Sequence, residues 1–188
     1  MINKCDQLKH QFLISMPTLT SDYFSQSLIY LCEHNDDGAM GIRVNKPADM
    51  ALSEVFEQLN LATHAHLNSH PVFLGGPVSE EHGLILHPKD DRTWTSSRDL
   101  CDQLTLTTSL DILEAIAREE GPDRFLFALG YAGWGPGQLE EEIAQNLWLS
   151  SPAKLDILFD IEPPQRLQAA ASLLGVDINL LTAVAGHA

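Results

Sequence analysis

The chain has 188 residues, of which 44% are hydrophobic and 20% charged, and its formal net charge is −15. This length and composition predict one globular domain with a hydrophobic core that needs no metal or disulfide to fold. The excess of carboxylates disfavours direct DNA binding, because affinity for nucleic acid comes largely from neutralising phosphates.

Three features of the sequence favour the cytoplasm. The cysteines, Cys5, Cys32 and Cys101, are widely spaced and form no CxxC pair, which is typical of a reducing compartment. Residues 1–10 form a loose polar lead without the apolar core of a signal peptide. No stretch reaches the roughly 18 apolar residues of a membrane-spanning helix. We therefore expect a cytoplasmic protein that does not enter a membrane.

The first half of the chain predicts a hairpin followed by a helix. Residues 12–15 and 27–34 are typical of strands, and the turn residues that end in Gly38 lead into an alternating strand at 40–44. Pro47 is expected to end that strand. Leu52, Val55, Phe56 and Leu59 then recur at helical spacing, so an amphipathic helix is expected to pack on the sheet.

The second half alternates strands and helices. Short strands are expected at 72–74 and 83–87, with a polar loop or a loose edge strand at 90–97. A strand at 104–107 leads into a helix capped by Thr108 or Ser109. The apolar run 125–131 predicts a buried strand, and helices follow through 139–147 and 167–174. With no repeat or linker, 1–188 is predicted to be a single domain.

A glycine-rich loop between the buried strand and the next helix is the main candidate for a ligand site. A strand, a glycine loop and a helix N-terminus can hold a phosphate through backbone N–H groups. The spacing matches neither GxGxxG nor a P-loop, and Glu140, Glu141 and Glu142 would repel an anion. A close-packed structural turn and a pocket for a neutral or cationic ligand both remain open. The candidate ligand-binding residues, which include the glycine turn at 75–76, are Gly75, Gly76, Tyr131, Gly133, Trp134, Gly135, Gly137 and Gln138.

The other polar motifs predict neither a catalytic set nor a metal or cofactor site. His64, His66 and His70 have a spacing that could suit a metal, but they lie in a polar loop without an acidic or cysteine ligand beside them. Ser151 and Lys154 match S-x-x-K without its partner motifs, so Ser151 is interpreted instead as a helix N-cap before Pro152.

Two strand residues with reactive groups are also interpreted as structural. Cys32 lies in an apolar strand, which favours a buried core thiol. Glu33 and His34 are adjacent in the same strand and point to opposite faces, so they cannot easily share a site. We expect His34 to be a surface or turn-bonding group at the end of the hairpin.

Taken in order, these segments resemble the YqgE/AlgH family of bacterial proteins. The resemblance rests on motifs that run from about residue 10 to the C-terminus, and the most specific is 129–134. The others are Met16-Pro17 with Asp22 and Phe24, 27–34, 38–41 with Asn45 and Pro47, 75–78, 83–87, 107–109 with Asp111, Gly121-Pro122, 137–140, 146–149 and Gly186-His187-Ala188.

The resemblance implies a fold but no established reaction, cofactor or catalytic set. It implies one α/β domain in which helices surround a small, partly closed, bifurcated and barrel-like sheet. One branch of the family is described as affecting alginate production, and some members are labelled transcriptional regulators. We expect a non-enzymatic binding or regulatory protein that acts through a protein partner or a small ligand. The alternatives are direct DNA binding and an enzyme with an unfamiliar site near Tyr131 and Trp134.

Overall fold

The computed structural model describes residues 8–19, 21, 23–62 and 64–178, so Cys5, Asp22 and residues 186–188 lie outside the described part. Ten strands and five α-helices form within these ranges. The strands are β1 (Gln11–Ser15), β2 (Leu28–Asn35), β3 (Gly38–Arg43), β4 (Pro47–Ala51), β5 (Pro71–Leu74), β6 (Val78–Pro88), β7 (Ser97–Cys101), β8 (Leu104–Thr107), β9 (Leu126–Trp134) and β10 (Trp148–Pro152). The helices are α1 (Leu52–Gln58), α2 (Leu110–Ala117), α3 (Gln138–Ala144), α4 (Leu155–Phe159) and α5 (Pro163–Ser172).

The predicted hairpin is confirmed as the pair of neighbouring strands β2 and β3. Asn35 accepts a hydrogen bond from the Asp37 N–H at 2.8 Å, and Gly38 takes a φ of +130°, as the turn residues predict. The strands then continue in the order β10-β1-β2-β3-β9-β6-β8-β7, and each adjacent pair is antiparallel. This sheet curls into a half-barrel, which confirms a single mixed α/β domain.

Strand β9 divides the sheet into two branches. Its first half lies between β6 and the parallel strand β5, where Val72 to Leu74 align with Phe127 to Leu129. Its second half pairs instead with β3, through residues 132–134. The change of neighbour coincides with Gly130, whose φ is +69°. Because glycine adopts positive φ without a steric penalty, this residue lets one strand serve two branches.

The alternating faces of the strands separate the apolar side chains into distinct layers. One buried cluster fills the inside of the half-barrel, where α4 and α5 cover it. A second cluster lies on the opposite face of β5, β6 and β9, beneath α1 and α2. A third cluster packs α3 against β1, β2 and the end of β9.

Three predictions about the elements are wrong at their boundaries. Pro47 begins strand β4, which leads directly into α1, rather than ending a segment of sheet. Ser151 does not cap a helix, because it lies inside β10 opposite Phe12, and α4 begins only at Leu155. Strand β6 is longer than expected. It begins at Val78, which pairs with Tyr131 of β9, and the register of the two strands shifts between Val78 and Gly83.

Candidate functional site

The two glycines at the end of β5 are placed by backbone packing. A Cβ atom on Gly75 would lie 2.1 Å from the carbonyl oxygen of Gly130, and one on Gly76 would lie 1.9 Å from the carbonyl carbon of Tyr131. Distances this short leave no space for a side chain. The Gly75-Gly76 turn therefore brings β5 into direct backbone contact with β9 at the point where the sheet divides.

Trp134 is buried, and its indole is anchored by a carboxylate. The Trp134 N–H donates to Glu142 Oε2 at 2.9 Å, and Trp148 donates to the same oxygen at 2.8 Å. The two indoles meet edge to face with centroids 6.0 Å apart. A single acidic side chain thus satisfies two largely buried donors, which would otherwise carry a large desolvation cost.

The glycine loop that follows is held by the same carboxylate. Gln138 donates to Glu142 Oε1 at 2.9 Å, and its own carbonyl oxygen accepts the Gly135 N–H at 3.0 Å. Gly137 takes a φ of +74°, the left-handed conformation that starts α3. The structure therefore brings Gly133, Trp134, Gly135, Gly137 and Gln138 together in one internally bonded turn.

Tyr131 belongs to a different face of the sheet from Trp134. Trp134 packs with the cluster around α3, whereas Gly133, the neighbouring residue that points to the other face, would place a Cβ atom 3.7 Å from the Tyr131 ring. Tyr131 aligns with Val78 of the neighbouring strand β6. The eight predicted site residues thus form a backbone junction, an internally bonded turn and one side chain on a separate surface.

His34 is buried, so the prediction of a surface or turn-bonding group is wrong. Its side chain is 2% exposed, and Nε2 lies 2.8 Å from Glu140 Oε1. The hairpin turn packs against β9, because a Cβ atom on Gly38 would lie 2.2 Å from the Trp134 carbonyl oxygen. This packing carries His34 to the start of α3, where it ties the hairpin to the glycine loop.

The remaining sequence candidates do not assemble a reactive cluster in the described residues. Cys32 is buried in the core, as predicted, and burial raises the pKa of its thiol to about 12. His64 lies 3.7 Å from Glu119, whereas His70 stacks on the Phe125 ring. Across the part of the chain that the structure describes, no group of three or more metal-ligating side chains occurs. Nor does any helix there have the length and apolar character needed to cross a membrane.

An apolar groove lies on the outer face of the sheet between α1 and α2. Its volume is about 350 Å³, and its floor is formed by strand residues that include Ile85, Phe127 and Leu129. Gly83 keeps the floor open beside the Phe127 ring, because a Cβ atom there would lie 2.8 Å from that ring. The helices supply the two walls, through Val55 and Leu59 from α1 and through Leu110 and Leu113 from α2.

The groove concentrates side chains that a monomeric protein normally buries. Leu59 is 39% exposed and Leu110 is 47% exposed, one on each wall. Leu74 is 41% exposed, and by strand alternation it shares the face of Val72, next to Leu129. Val78, which is 38% exposed, aligns with Tyr131 and does not line the groove. Clustered exposed apolar surface of this kind marks an interaction site more often than scattered apolar residues do.

The charged residues at the groove are acidic. Glu80 and Glu81 line it directly, and no lysine or arginine among the described residues does. Asp111, in the first turn of α2, is held by the Thr95 N–H and hydroxyl, both at 2.8 Å. The groove therefore combines an apolar floor with a negative edge, on a molecule that is strongly acidic overall.

This groove was not predicted from the sequence. Leu52, Val55, Phe56 and Leu59 were predicted as one buried helix face, but only Leu52 and Phe56 are buried. The wall leucines come from separate helices, so no local pattern brings them together. The apolar residues of α1 follow the ordinary spacing of a core-facing helix, so they carried no local signal of an exposed wall.

Comparison with known proteins agrees with the architecture. The AlgH-like family model matches residues 12–179. A UPF0301 protein of Thioalkalivibrio sulfidiphilus is 52% identical over 179 residues, covering 95% of this chain and 96% of the relative. A UPF0301 protein of Methylococcus capsulatus is 48% identical over 188 residues and is matched along the whole of both chains.

Solved structures show the same fold. The solution structure of the AlgH protein from Pseudomonas aeruginosa superimposes with a TM-score of 0.80 at 46% identity, covering 96% of both chains. A protein of Corynebacterium diphtheriae, 21% identical, has a TM-score of 0.62 over 91% of this chain and 83% of its own, which shows a similar fold. Together, the match to the family model and the identity to full-length relatives establish that this chain belongs to the AlgH-like family.

Proposed function

We propose that the protein is a non-enzymatic binding protein that holds an amphipathic helix of a protein partner in the groove between α1 and α2. The observation that carries this proposal is that two exposed leucines from different helices, Leu59 and Leu110, line the same groove above an apolar floor. Leaving such side chains in water costs hydrophobic free energy that a partner would recover on binding.

A helix suits this groove better than an extended peptide. Helix-in-groove recognition uses apolar anchors spaced by three or four residues, which two flanking walls can accommodate. Recognition through an added strand would need an unpaired sheet edge, but the strands of the groove floor, β5, β6 and β9, each have neighbours on both sides. The floor therefore offers side chains rather than backbone groups.

The partner helix is expected to carry lysine or arginine beside its apolar face. Glu80 and Glu81 line the groove, and no described cation there would oppose a basic segment. Opposite charges across an interface speed association and select against acidic competitors more than they strengthen binding. The same negative field is unfavourable for a DNA ligand, the alternative raised by the sequence.

An enzyme centred on Tyr131 and Trp134 has less support. Trp134 is committed to Glu142, and its loop is closed by hydrogen bonds within itself. Tyr131 aligns with Val78, and neither residue lines the groove.

A designed peptide tests the groove directly. The probe is a fluorescently labelled 18-residue helix with leucine on one face and lysine on the other, and fluorescence anisotropy measures its affinity. We expect saturable binding that weakens at least tenfold in the double variant L59E/L110E, because two buried anchors would be replaced by charges. The matched control is L174E, which alters another exposed leucine outside the groove (39% exposed) and should bind like the wild type.

Two outcomes contradict the proposal. One is equal weakening by L174E and by L59E/L110E, which would indicate general adhesion to an acidic surface. The other is unchanged binding in L59E/L110E, which would place the peptide elsewhere. A peptide with glutamate in place of lysine should bind more weakly than the lysine peptide at low salt, and the difference should shrink as salt screens the charges.

A further inference from the structure

The guanidinium of Arg166 is buried, and its contacts among the described residues are backbone carbonyl oxygens and an aromatic ring. The residue is 6% exposed, Nε donates to the Ile161 carbonyl oxygen at 2.8 Å, and Nη1 donates to the Val44 carbonyl oxygen at 2.6 Å. Its Cζ atom stands 5.0 Å from the centre of the Phe73 ring. Among the described residues, no carboxylate oxygen lies within 4.0 Å of a guanidinium nitrogen of Arg166, the distance expected of an ion pair.

This arrangement leaves the charge incompletely compensated. Burial lowers the pKa of Arg166 to about 10, and the nearby Glu162 opposes that shift only in part. An arginine side chain carries five N–H donors in a planar fork, and the described contacts use two of its nitrogens. Buried charges in proteins are normally matched by a counter-charge, and no carboxylate among the described residues supplies one to Arg166.

A cavity adjoins this guanidinium. It has a volume of about 180 Å³ and lies between the start of β5 and the turn joining α4 to α5, with Arg166 in its wall. Phe73, Phe125 and Phe159 supply aromatic walls. At about 30 Å³ per water molecule, this space corresponds to roughly six waters, which is enough for a small organic anion.

We propose that this cavity is a binding site for a small monocarboxylate with an apolar or aromatic body, whose carboxylate pairs with Arg166. A planar carboxylate accepts two parallel hydrogen bonds from a guanidinium, and its apolar part would lie against the phenylalanine rings. This site is distinct from the groove between α1 and α2, so it stands or fails independently of the proposed helix binding.

The charges around the cavity favour a monoanion over phosphate. Glu162 and Asp160 also line it. Arg124 lies 3.2 Å from Asp160 and neutralises part of that charge, whereas Glu162 forms no ion pair within the described structure. A doubly charged phosphate would be repelled more strongly than a monoanion by this residual negative potential. Chloride, a single atom, could not accept the two parallel hydrogen bonds that the guanidinium can donate to a carboxylate.

The test is a gain of affinity in a variant that keeps Arg166. Isothermal titration with benzoate and acetate should show saturable binding to the wild type, with benzoate tighter because it also contacts the aromatic walls. E162Q removes the repulsive charge from an exposed position and should tighten benzoate binding roughly three- to tenfold. E80Q is the matched control, since Glu80 is an exposed glutamate on the other face of the sheet, and it should change nothing.

The remaining arms separate the alternatives. Chloride at the same ionic strength should compete weakly, and phosphate should bind more weakly than benzoate. R166Q should abolish binding if it folds. If it does not fold, the Arg166 side-chain N–H resonances of the wild type should shift on adding benzoate, and those of Arg124 should shift less. Absence of benzoate binding, equal affinities in E162Q and wild type, or tighter binding of chloride than of benzoate would each overturn the proposal.

Discussion

The sheet branches where two glycines, Gly75 and Gly76, contact the backbone of β9. A larger side chain at either position would clash with that backbone. Gly76 lies against the backbone of Tyr131 and Ala132, and the nearest atom would be 1.9 Å from an added Cβ. Gly135, in the loop before α3, would place its Cβ 3.8 Å from the nearest atom, an ordinary contact. Gly76 is therefore required by close packing, whereas the space around Gly135 would admit a methyl group.

We predict that G76A is severely destabilised, whereas G135A is close to the wild type. Relieving the clash at position 76 requires β5 to move away from β9, at a cost of roughly 3 kcal/mol or more in the free energy of unfolding. G135A should change that free energy by less than about 0.5 kcal/mol. Urea unfolding followed by circular dichroism measures both, and similar stability of the two variants would contradict the assignment of Gly76 to packing.

His87 is a second residue whose environment has a measurable consequence. It is 1% exposed, with Nδ1 3.0 Å from the Pro88 carbonyl oxygen and Nε2 2.9 Å from Thr107 Oγ1. Because a carbonyl only accepts, Nδ1 carries the proton and Thr107 donates to Nε2. Burial lowers the pKa of His87 below 6.5, an effect that Arg92 assists, while the Pro88 carbonyl, Asp90 and Asp99 act against it.

The direction of this shift predicts acid sensitivity. A histidine with a lowered pKa binds its proton more readily in the unfolded chain, so its contribution to stability is complete above about pH 6.5 and is lost as the pH falls below that value. We expect the free energy of unfolding to decline between pH 6.5 and 5 by up to about 1.4 kcal/mol per pH unit, and to decline less in H87Q. H82Q is the control, because the His82 side chain is 70% exposed, and it should follow the wild type.

At the scale of elements, β7 approaches β2 across the open side of the half-barrel. Arg98 of β7 forms an ion pair with Glu33 of β2 on the surface. Beneath it, Leu100 is buried in the same cluster as Tyr30 and Cys32. Two nearby basic side chains are paired in the same way, Lys89 with Asp99 and Arg92 with Asp90, so each of these exposed cations has a carboxylate beside it.

We predict that the apolar layer, and not the ion pair, holds this side of the half-barrel together. R98A should lower the free energy of unfolding by at most about 1 kcal/mol, because the pair is exposed and screened. L100A should lower it by about 2–4 kcal/mol, because it removes a buried side chain. Urea titrations of the two single variants and of R98A/E33A give the comparison; a larger loss in R98A than in L100A would show that the prediction is wrong.

The elements that the sequence predicted are those with a complete local signal. The hairpin at 35–38 has its Asx and glycine residues within four positions, and the buried strand near 126–131 is one continuous apolar run. Strand β10 was missed because Trp148 to Pro152 mixes apolar, hydroxyl and proline residues, and its strand conformation depends on pairing with β1. Pro47 was misplaced for the related reason that a proline can begin a strand as well as end one.

The candidate site was less accessible to sequence reasoning because its parts are distant in the chain. Gly75 and Gly76 were predicted as a turn with candidate ligand-binding residues. Their backbone contact with Gly130 and Tyr131 was not predicted, because it depends on the parallel pairing of β5 with β9. His34 was assigned to the surface because its partner Glu140 is 106 residues away. Leu59 was expected to pack on the sheet because helical periodicity records which face of a helix is apolar and not what covers that face.

At the scale of the whole molecule, the net charge of −15 governs encounters with other polyelectrolytes. Two of the arginines, Arg43 and Arg166, are buried against carbonyl oxygens and do not lie on the surface where they could contact the backbone of a DNA duplex. Most of the exposed arginines are paired with carboxylates, including Arg118 with Glu120 and Arg124 with Asp160. The surface therefore offers few cations for the release of counterions from DNA.

We predict that the protein does not retain duplex DNA at physiological salt. A mobility-shift assay at about 150 mM salt with competitor DNA should show no complex, because several phosphate contacts are needed to hold DNA under those conditions. A basic DNA-binding domain, run in parallel, verifies the assay. A persistent, sequence-selective shift would favour the alternative of direct transcriptional control.

The division of β9 between two branches also determines when the chain can fold. Strands β3, β5 and β6 are all made before residue 90, yet each uses β9, which begins at Leu126, as a neighbour. Contacts so distant along the chain delay folding, because the intervening segment must be closed into a loop before they form. A chain still emerging from the ribosome would hold unfinished sheet edges until Trp134 is released. Chains shortened before β9 should accordingly aggregate, whereas those ending after α3 should begin to show a cooperative unfolding transition.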